Sequence, residues 1–313
     1  MPPETPREII AAQPRGFCAG VRRAINIIEK ALENAGQSVY CFREIVHNQD
    51  VVADLQDKGV LFVNDLSRIP EGSTVVFSAH GVSPEVREQA RHQQLNIVDA
   101  TCPFVNKVHQ EVKRFASQGS SIILVGIRGH DEVTGVVAEA PDKITVIENR
   151  AEAEQVKLKN PEDVAVIMQT TLSIEDAADI LQTLQERFPR LKTPAKSDIC
   201  YATQKRQNAV RELAQRTEKI LVLGAKNSSN TNRLVEVASA AGTEGILIST
   251  LDDLAAVDLS KAEVIGVTAG ASTPEAFVQD VLTSLQQRTD AAVKEVKLEQ
   301  EERPYHEPET LSA

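Results

Sequence analysis

The chain has 313 residues, of which 42% are hydrophobic and 25% are charged, a composition typical of a globular protein with two or three domains. A formal net charge of −11 and an aromatic content of only 4% disfavour nucleic acid and anionic membranes as the main partners. The N-terminal segment lacks the long apolar run of a signal peptide, and no stretch reaches the length of a membrane span. We therefore expect a cytoplasmic protein whose four cysteines are metal ligands, nucleophiles or core residues.

The first third of the chain contains three strand-like runs, each of which ends in polar residues. The run IIAAQPRGFC ends at Cys18, SVYCFREIVHN ends near His47, and TVVFSAHGVS contains His80. Cys41 lies inside the second run and is interpreted as a buried core residue. Apolar residues follow Cys18 at the spacing of one helical face: Val21, Ala24, Ile25, Ile28, Ala31 and Leu32. Ser83 before Pro84 predicts the start of a helix.

The same order of elements returns in the middle of the chain. LNIVDATC leads to Cys102, and a helical stripe of apolar residues follows it. The run SSIILVGIRGHDE ends at His130 and Glu132, and VAVIMQTTLS ends at Thr170. The sequence Ser173-Ile174-Glu175-Asp176 resembles a capping box at the start of another helix.

The order returns a third time, less clearly. The short run KSDIC leads to Cys200, and KILVLGAKNSSN ends at Ser228, Ser229 and Asn230. EVIGVTAGAST ends at Ser272, and Thr273 before Pro274 predicts a capped helix. The remaining residues are rich in charge and poor in aromatics, which indicates a flexible C-terminal extension.

The repeated order predicts three similar small α/β lobes with mainly parallel sheets, arranged about a pseudo-threefold axis. We place the lobes at residues 9–102, 103–199 and 200–288, with a flexible tail over 289–313. In such sheets, functional residues gather at the carboxyl ends of the strands. Each cysteine and each polar cluster falls at that position in its lobe. The three cysteines are therefore expected to converge, with the polar clusters around them.

Three thiolates from three lobes could hold zinc, or a cubane iron–sulfur cluster that has one iron without a protein ligand. The surrounding imidazoles, hydroxyls and amides suit a small phosphorylated ligand, and Glu132 is a candidate proton source. Each group also has an ordinary structural interpretation: a serine or asparagine can cap a helix, and Glu132 can pair with Arg128. Three functions stay open at this point: an iron–sulfur reductase, a zinc hydrolase acting on a phosphorylated small molecule, and a non-catalytic iron–sulfur sensor.

Eight sequence strings, in the same order and at compatible spacing, resemble those of the 4-hydroxy-3-methylbut-2-enyl diphosphate reductases. These enzymes perform the last step of the non-mevalonate isoprenoid pathway. The resemblance spans roughly residues 9–285, and the strings are PRGFCAGV, IVHN, SAHGVS, DATCP, QTTLS, DICYAT, KNSSN and GVTAGAS.

The resemblance implies an iron–sulfur oxidoreductase with three α/β domains around a central [4Fe–4S] cluster. Cys18, Cys102 and Cys200 would be its ligands, and the cluster can appear as [3Fe–4S] after oxidation. The substrate's hydroxyl would bind the unique iron, Glu132 would donate protons, and Thr170 and His130 would position the leaving oxygen. The products would be isopentenyl and dimethylallyl diphosphate plus water. The diphosphate would be bound by His47, His80, Ser228, Ser229, Asn230 and Ser272.

The resemblance also implies a reduced ferredoxin or flavodoxin as the electron donor. A donor of this acidic kind would need a local basic patch on an acidic enzyme. One departure from the family's pattern is visible, because Asp131 stands in GHDE where the family commonly has Pro. Asp131 adds a negative charge near the expected diphosphate site. The chain shows no plant-type transit peptide, which favours a bacterial source.

Overall fold

The computed structural model of the chain describes residues 6–34 and 38–297. The first part of the chain alternates short strands and helices, as the hydrophobic runs predict. Its elements are β1 (Glu8–Gln13), α1 (Ala19–Asn34), β2 (Val39–Phe42), α2 (Gln49–Asp57), β3 (Val60–Val63), a 3-10 helix (Leu66–Arg68), β4 (Thr74–Phe77), α3 (Pro84–His92) and β5 (Asn96–Asp99).

The alternation continues to the end of the described chain. The middle part contains α4 (Pro103–Ser117), β6 (Ser121–Val125), α5 (Asp131–Val137), β7 (Ile144–Ile147), α6 (Arg150–Gln155), β8 (Val164–Met168) and α7 (Ile174–Arg187). The last part contains α8 (Tyr201–Ala214), β9 (Lys219–Leu223), α9 (Ser229–Ala240), β10 (Glu244–Ile248), α10 (Leu251–Ala255), β11 (Val264–Ala269), α11 (Glu275–Thr289) and β12 (Ala292–Lys297). None of the helices in the described ranges combines the length and apolar character needed to cross a membrane.

The strands form three separate sheets, so the predicted three-lobed α/β class is confirmed. The strand orders are β3-β2-β4-β5, β7-β6-β8 and β10-β9-β11-β1-β12, and each described strand pair is parallel. Apolar clusters cover both faces of each sheet. Burial on both faces explains why the strands are continuous hydrophobic runs rather than alternating patterns.

Several local predictions are confirmed. The α1 stripe buries Val21, Ala24 and Ile28 against the first sheet. Ser83 caps α3 by accepting a hydrogen bond from Val86 N–H. Cys41 is fully buried in the first lobe's core, and burial raises the pKa of its thiol. Cys41 is therefore a packing residue, as its position in an apolar run predicts.

Four predictions need correction. β1, assigned to the first lobe, pairs with β11 and β12 and belongs to the third sheet. Residues 292–297, assigned to a flexible tail, form the edge strand β12, whereas residues 298–313 lie outside the described ranges. The run KSDIC before Cys200 is not a strand, and the isolated bridge of this segment, between Lys192 and Ala165, lies before the run. Thr273 does not cap α11, because its hydroxyl donates to Leu223 O instead.

The pairing of β1 reveals where each cysteine lies in the architecture. Cys18 follows β1 of the third sheet and begins α1 of the first lobe. Cys102 follows β5 of the first sheet and begins α4, which packs on the second sheet. Cys200 follows a segment that runs beside β8 and begins α8 of the third lobe. Each cysteine thus lies at a junction between two lobes, which brings all three toward the centre.

Candidate active site

The cysteines share one local structure, because each directly precedes a helix. Cys102 and Cys200 are the N-cap residues of α4 and α8, and neither side chain makes a capping hydrogen bond. Val21 N–H points to Cys18 Sγ at 3.4 Å, and Thr203 Oγ1 lies 3.2 Å from Cys200 Sγ. The positive end of a helix dipole favours a thiolate over a thiol. Three helix starts therefore present three sulfur atoms suited to bind a cation.

Gly20 leaves the space in which these sulfur atoms meet. A Cβ at this position would lie 2.8 Å from Cys102 Sγ and 3.8 Å from Cys18 Sγ. The first distance is shorter than van der Waals contact, so any side chain here would displace the Cys102 sulfur. The second residue of α1 thus forms a cradle between two of the three cysteines.

Burial affects the protonation of two of the three thiols. It raises the pKa of Cys102 to about 12 and that of Cys200 to about 11, and nearby Cys18 contributes to both shifts. A bound cation must therefore displace protons from them.

Three predicted histidines form one cluster at the junction of the first two lobes. His47 and His80 stack with ring centroids 4.0 Å apart, and His130 meets them edge-on at 5.2 and 5.8 Å. Burial, followed by the charge of His47, lowers the pKa of His130 to about 4, and the same causes hold the pKa of His80 well below its usual value. Both imidazoles are therefore neutral at pH 7 in the ligand-free protein.

Asp131, the departure from the family's pattern, lies beside this cluster. Its carboxylate forms an ion pair with Arg43, which lies at the end of β2 in the first lobe. Ligand atoms of His47, His80 and Asp131 lie within 4.8 Å of one another, a spacing that one metal ion could bridge. The guanidinium already balances the carboxylate, so the extra negative charge predicted from the sequence is neutralised. With Arg43 beside them, His47, His80 and Asp131 are therefore better suited to bind an anion than a metal cation.

Glu132 is buried, with 3% of its surface exposed, and both of its carboxylate oxygens contact Thr170. Thr170 N–H donates to Oε1 at 2.7 Å, and Thr170 Oγ1 donates to Oε2 at 2.9 Å. Burial raises the pKa of Glu132 to about 7, against the effect of these hydrogen bonds. The alternative partner Arg128 pairs with Glu148 and Glu152 instead. A carboxyl group with this pKa can hold a proton and release it near neutral pH.

The polar residues of the third lobe face the histidines. Ser272 Oγ donates to His47 O at 3.1 Å, and Ser229 Oγ lies 2.9 Å from Thr171 Oγ1 in the second lobe. Ser228 caps α9 by accepting Thr231 N–H, which leaves its own O–H as a donor. Asn230 is buried and accepts Ala271 N–H through Oδ1. Hydroxyl and amide donors at the start of α9 are suited to anionic oxygens.

Several residues that orient the site belong to no motif in the sequence and were not predicted from it. Glu44 Oε2 lies 3.2 Å from His47 Nδ1 and also accepts from Asn227 Nδ2, which joins the first and third lobes. Buried Asp198 pairs with Lys107 and accepts Met168 N–H at the end of β8. These contacts connect residues far apart in the chain. The only local signal was the charged pair Arg43 and Glu44 directly after β2.

Comparison with known proteins places this geometry in a family. A family model described as LytB protein matches residues 9–286. The chain belongs to the LytB protein family. The resemblance inferred from the eight strings is thereby confirmed, and so is the oxidoreductase class it implies.

Two curated LytB relatives and one solved structure show the extent of the similarity. The 4-hydroxy-3-methylbut-2-enyl diphosphate reductase of Acidothermus cellulolyticus is 48% identical over 303 residues, covering 96% of this chain and 88% of that protein. The reductase of Rhodopirellula baltica is 44% identical over 309 residues, covering 99% and 97%. The structure of the E-1-hydroxy-2-methyl-but-2-enyl-4-diphosphate reductase from Plasmodium falciparum has a TM-score of 0.93 at 34% identity, covering 97% of this chain and 96% of that one.

Proposed function

We propose that the chain reduces (E)-4-hydroxy-3-methylbut-2-enyl diphosphate to isopentenyl and dimethylallyl diphosphate. Two electrons and two protons enter, the allylic C–O bond breaks, and the hydroxyl oxygen leaves as water. One proton becomes part of that water, and the other forms the new C–H bond of the product. The site must therefore supply electrons, protons and an anchor for the diphosphate.

One chain of hydrogen bonds carries the proposal, since it joins the proton source to the cysteines. Thr170 bonds both oxygens of Glu132 through its N–H and its hydroxyl. The carbonyl of the same residue accepts Cys200 N–H at 3.1 Å. A buried carboxyl group with a pKa of about 7 is thus fixed relative to a candidate ligand of a redox centre.

Cys18, Cys102 and Cys200 would hold a [4Fe–4S] cluster. The Gly20 cradle and the three helix starts support this assignment. When bound, the cluster supplies electrons and a Lewis-acidic iron without a protein ligand. Glu132 would hold a proton beside it, and Thr170 would orient the substrate's hydroxyl. His130, which caps α5 directly before Asp131 and Glu132, would position the leaving oxygen.

The diphosphate would lie between the histidines and the start of α9. His47 and His80 approach from the first lobe, and Ser272 is bonded to the His47 carbonyl from the third. Ser228, Ser229 and Asn230 add donors at a helix N-terminus, where backbone N–H groups favour anions. Because the hydrogen-bond donors come from the first and the third lobe, the pocket would bind the diphosphate from two sides.

Family membership and the site disfavour the two other functions considered. The relatives are named as reductases, whereas a zinc hydrolase would turn over its substrate without a reductant. A non-catalytic sensor would have no use for a buried carboxyl group with a pKa of about 7 beside Thr170. The reductase is therefore the one function that we propose. Its proposed electron donor is a reduced ferredoxin or flavodoxin, and its proposed location is the cytoplasm.

The reaction is tested with protein purified anaerobically and analysed for iron and acid-labile sulfide. Incubation with the allylic diphosphate and dithionite with methyl viologen should yield both isoprenoid diphosphates. Cys102→Ser should lose iron, sulfide and activity, whereas Cys41→Ser should retain the iron and sulfide because Cys41 lies in the core. Stoichiometric zinc without sulfide, or full activity of Cys102→Ser, would contradict the proposal.

A further inference from the structure

The chain segments that contain the cysteines are basic, although the whole protein is acidic. Although the chain carries a net charge of −11, no Asp or Glu occurs in residues 14–28, 100–110 or 199–211. These segments contain the cysteines and the first turns of α1, α4 and α8, none of which has an acidic residue in its first turn. The first acids of the three helices are Glu29, Glu111 and Glu212. Each of these helices therefore starts in a basic segment of an acidic chain.

Two aromatic residues lie in this region next to two of the cysteines. Tyr201 directly follows Cys200, and Phe104 follows Cys102 by two residues. Their rings meet edge-to-face with centroids 5.6 Å apart, which joins α4 to α8. Tyr201 is 60% exposed, whereas most large apolar side chains of the described ranges are buried. An aromatic pair with one exposed ring is typical of the centre of a protein–protein contact.

Cationic side chains lie at or beside the starts of the same helices. Lys205 is one helical turn after Tyr201, on the same face of α8. Arg22 is exposed in the first turn of α1, and Arg23 Nη1 donates to Thr101 O at 3.2 Å, beside Cys102. Exposed Lys196 lies next to Lys107, whose ammonium group binds the Lys196 carbonyl and is balanced by Asp198. We give the name cationic face to the side chains at these helix starts: Phe104, Tyr201, Arg22, Arg23, Lys196 and Lys205.

We propose that the cationic face is the docking surface for an acidic one-electron carrier protein that reduces the cysteine-bound centre. The inference rests on the proposed function, because it supplies the electrons which that reaction consumes. Attraction between opposite charges would orient an acidic carrier despite the repulsion from the rest of the molecule. The aromatic pair would then exclude water at the contact.

The location also gives the electron a short path. Phe104 and Tyr201 are two residues and one residue away from cysteines that would hold the cluster. In each encounter, the reduced carrier is oxidised by one electron and dissociates. Two such encounters, with two protons, balance the cleavage of one C–O bond and the release of one water molecule. The residues proposed to bind the diphosphate lie in other loops, at other strand ends, and are not needed for docking of the carrier.

The test compares two reductants on the cluster-loaded enzyme. Turnover of the allylic diphosphate is driven either by a reduced acidic [2Fe–2S] ferredoxin or by dithionite with methyl viologen, which needs no docking surface. Lys205→Glu and Arg22→Glu should each raise the KM for ferredoxin about tenfold or more, since charge reversal at an interface costs binding. Turnover with dithionite and methyl viologen should stay within about twofold of the wild type.

Matched variants separate docking from folding. Lys30→Glu makes the same charge change on α1, eight residues and therefore about 12 Å beyond Arg22, and should leave both assays unchanged. Tyr201→Ala should weaken only the ferredoxin assay, with iron and sulfide content retained. Wild-type and variant enzymes with the same KM for ferredoxin would overturn the docking surface. A wild type inactive with both reductants would instead overturn the reaction itself, so the two failures are distinguishable.

Discussion

Glu132 combines features that are rarely found on one carboxyl group. It is almost fully buried and accepts two hydrogen bonds, which favour its ionised form, yet burial still raises its pKa to about 7. Desolvation of the charge therefore outweighs the hydrogen bonds. Without Thr170, the pKa of Glu132 would rise further, and the group would release its proton less readily. The contact between Glu132 and Thr170 thus keeps the pKa of this carboxyl group close to neutral pH.

Glu132→Gln is expected to lower kcat by about 10²-fold or more, because a positioned general acid contributes roughly that factor. The donating form of Glu132 is protonated, so the wild-type rate should fall as the pH rises through about 7. A pH–rate profile of both proteins with dithionite and methyl viologen measures this. Glu152→Gln, which alters an exposed partner of Arg128, is the control. A variant that keeps the wild-type profile would exclude Glu132 as the proton donor.

The ion pair between Arg43 and Asp131 predicts the effect of the unusual aspartate. Asp131→Asn removes a negative charge near the anionic substrate and releases the Arg43 guanidinium toward it. We expect the KM for the allylic diphosphate to fall about three- to tenfold, which corresponds to about 1 kcal/mol of binding. Steady-state kinetics measures the effect, and Asp50→Asn, an exposed acid on α2, is the control. A higher KM in Asp131→Asn would show that Asp131 assists binding.

At the residue scale, the sequence predicted the groups that end strands, because a strand end and its polar cluster are local patterns. Glu132, Thr170 and Cys200 were each named, but the hydrogen bonds that join them were not. Arg43 and Asp131 are 88 positions apart and come from different lobes. Such contacts depend on how the lobes meet, which no local pattern records.

Gly20, in the first turn of α1, leaves space for the cysteine sulfur atoms but lowers the stability of the helix. Glycine is a poor helix former, so Gly20→Ala should raise the stability of the ligand-free protein by up to about 1 kcal/mol. The added Cβ would nevertheless displace Cys102 Sγ, so the variant should lose most of its iron and sulfide. Metal analysis and urea unfolding measure the two effects.

Gly135→Ala is the matched control for Gly20→Ala, since Gly135 is also helical and its added Cβ would meet its nearest neighbour at an ordinary 3.6 Å. The control should keep its iron and sulfide. Equal iron and sulfide content in Gly20→Ala and the wild type would show that the space left by Gly20 is not needed for the cysteines to bind the cluster, whatever the change in stability.

The edge strand β12 explains why the C-terminal region was predicted to be flexible. Its sequence AVKEVK exposes lysine and glutamate, with only Val293 and Val296 packed on the cores of the third lobe. Charged edge strands prevent sheet-to-sheet aggregation, and by composition they resemble disordered segments. The pairing with β1 is a long-range contact across almost the whole chain, so it could not be read from local composition.

Glu295 on β12 is expected to stabilise the fold through a buried arginine. Arg15 is 1% exposed and binds both Glu275 and Glu295, at 2.7 and 2.6 Å. Glu295→Gln should lower the free energy of unfolding by about 1–2 kcal/mol at pH 7, because it weakens a charged hydrogen bond to a buried group. Lys294→Gln breaks an exposed pair with Glu8 and should cost less than about 0.5 kcal/mol. Equal urea midpoints for the two variants would contradict this role for β12.

At the scale of the whole molecule, the lobes keep separate apolar cores, and polar contacts at the site help to join them. The six apolar clusters remain within their own lobes. A ligand that contacts several lobes should therefore stabilise the entire molecule. The seam contacts at the site include Arg43–Asp131, Thr171–Ser229, Ser272–His47 and Asn227–Glu44.

The histidines determine how this stabilisation depends on pH. In the ligand-free protein the pKa of His130 is about 4 and that of His80 is also depressed, so both are neutral at pH 7. A bound diphosphate favours imidazolium and must raise these pKa values, which means that binding takes up protons. Affinity is then strongest at low pH and weakens as the pH rises through the pKa values of the bound state.

Inorganic diphosphate should therefore raise the thermal midpoint of the cluster-loaded protein more at pH 6 than at pH 8. A tenfold difference in Kd corresponds to about 1.4 kcal/mol, which is large enough to measure by thermal unfolding. His130→Asn retains a polar side chain but cannot become charged, so its dependence on pH should be weaker. The ligand's own protonation affects both proteins equally, and the difference between them reports the histidine. The same dependence on pH in both proteins would show that neutral imidazoles bind the diphosphate.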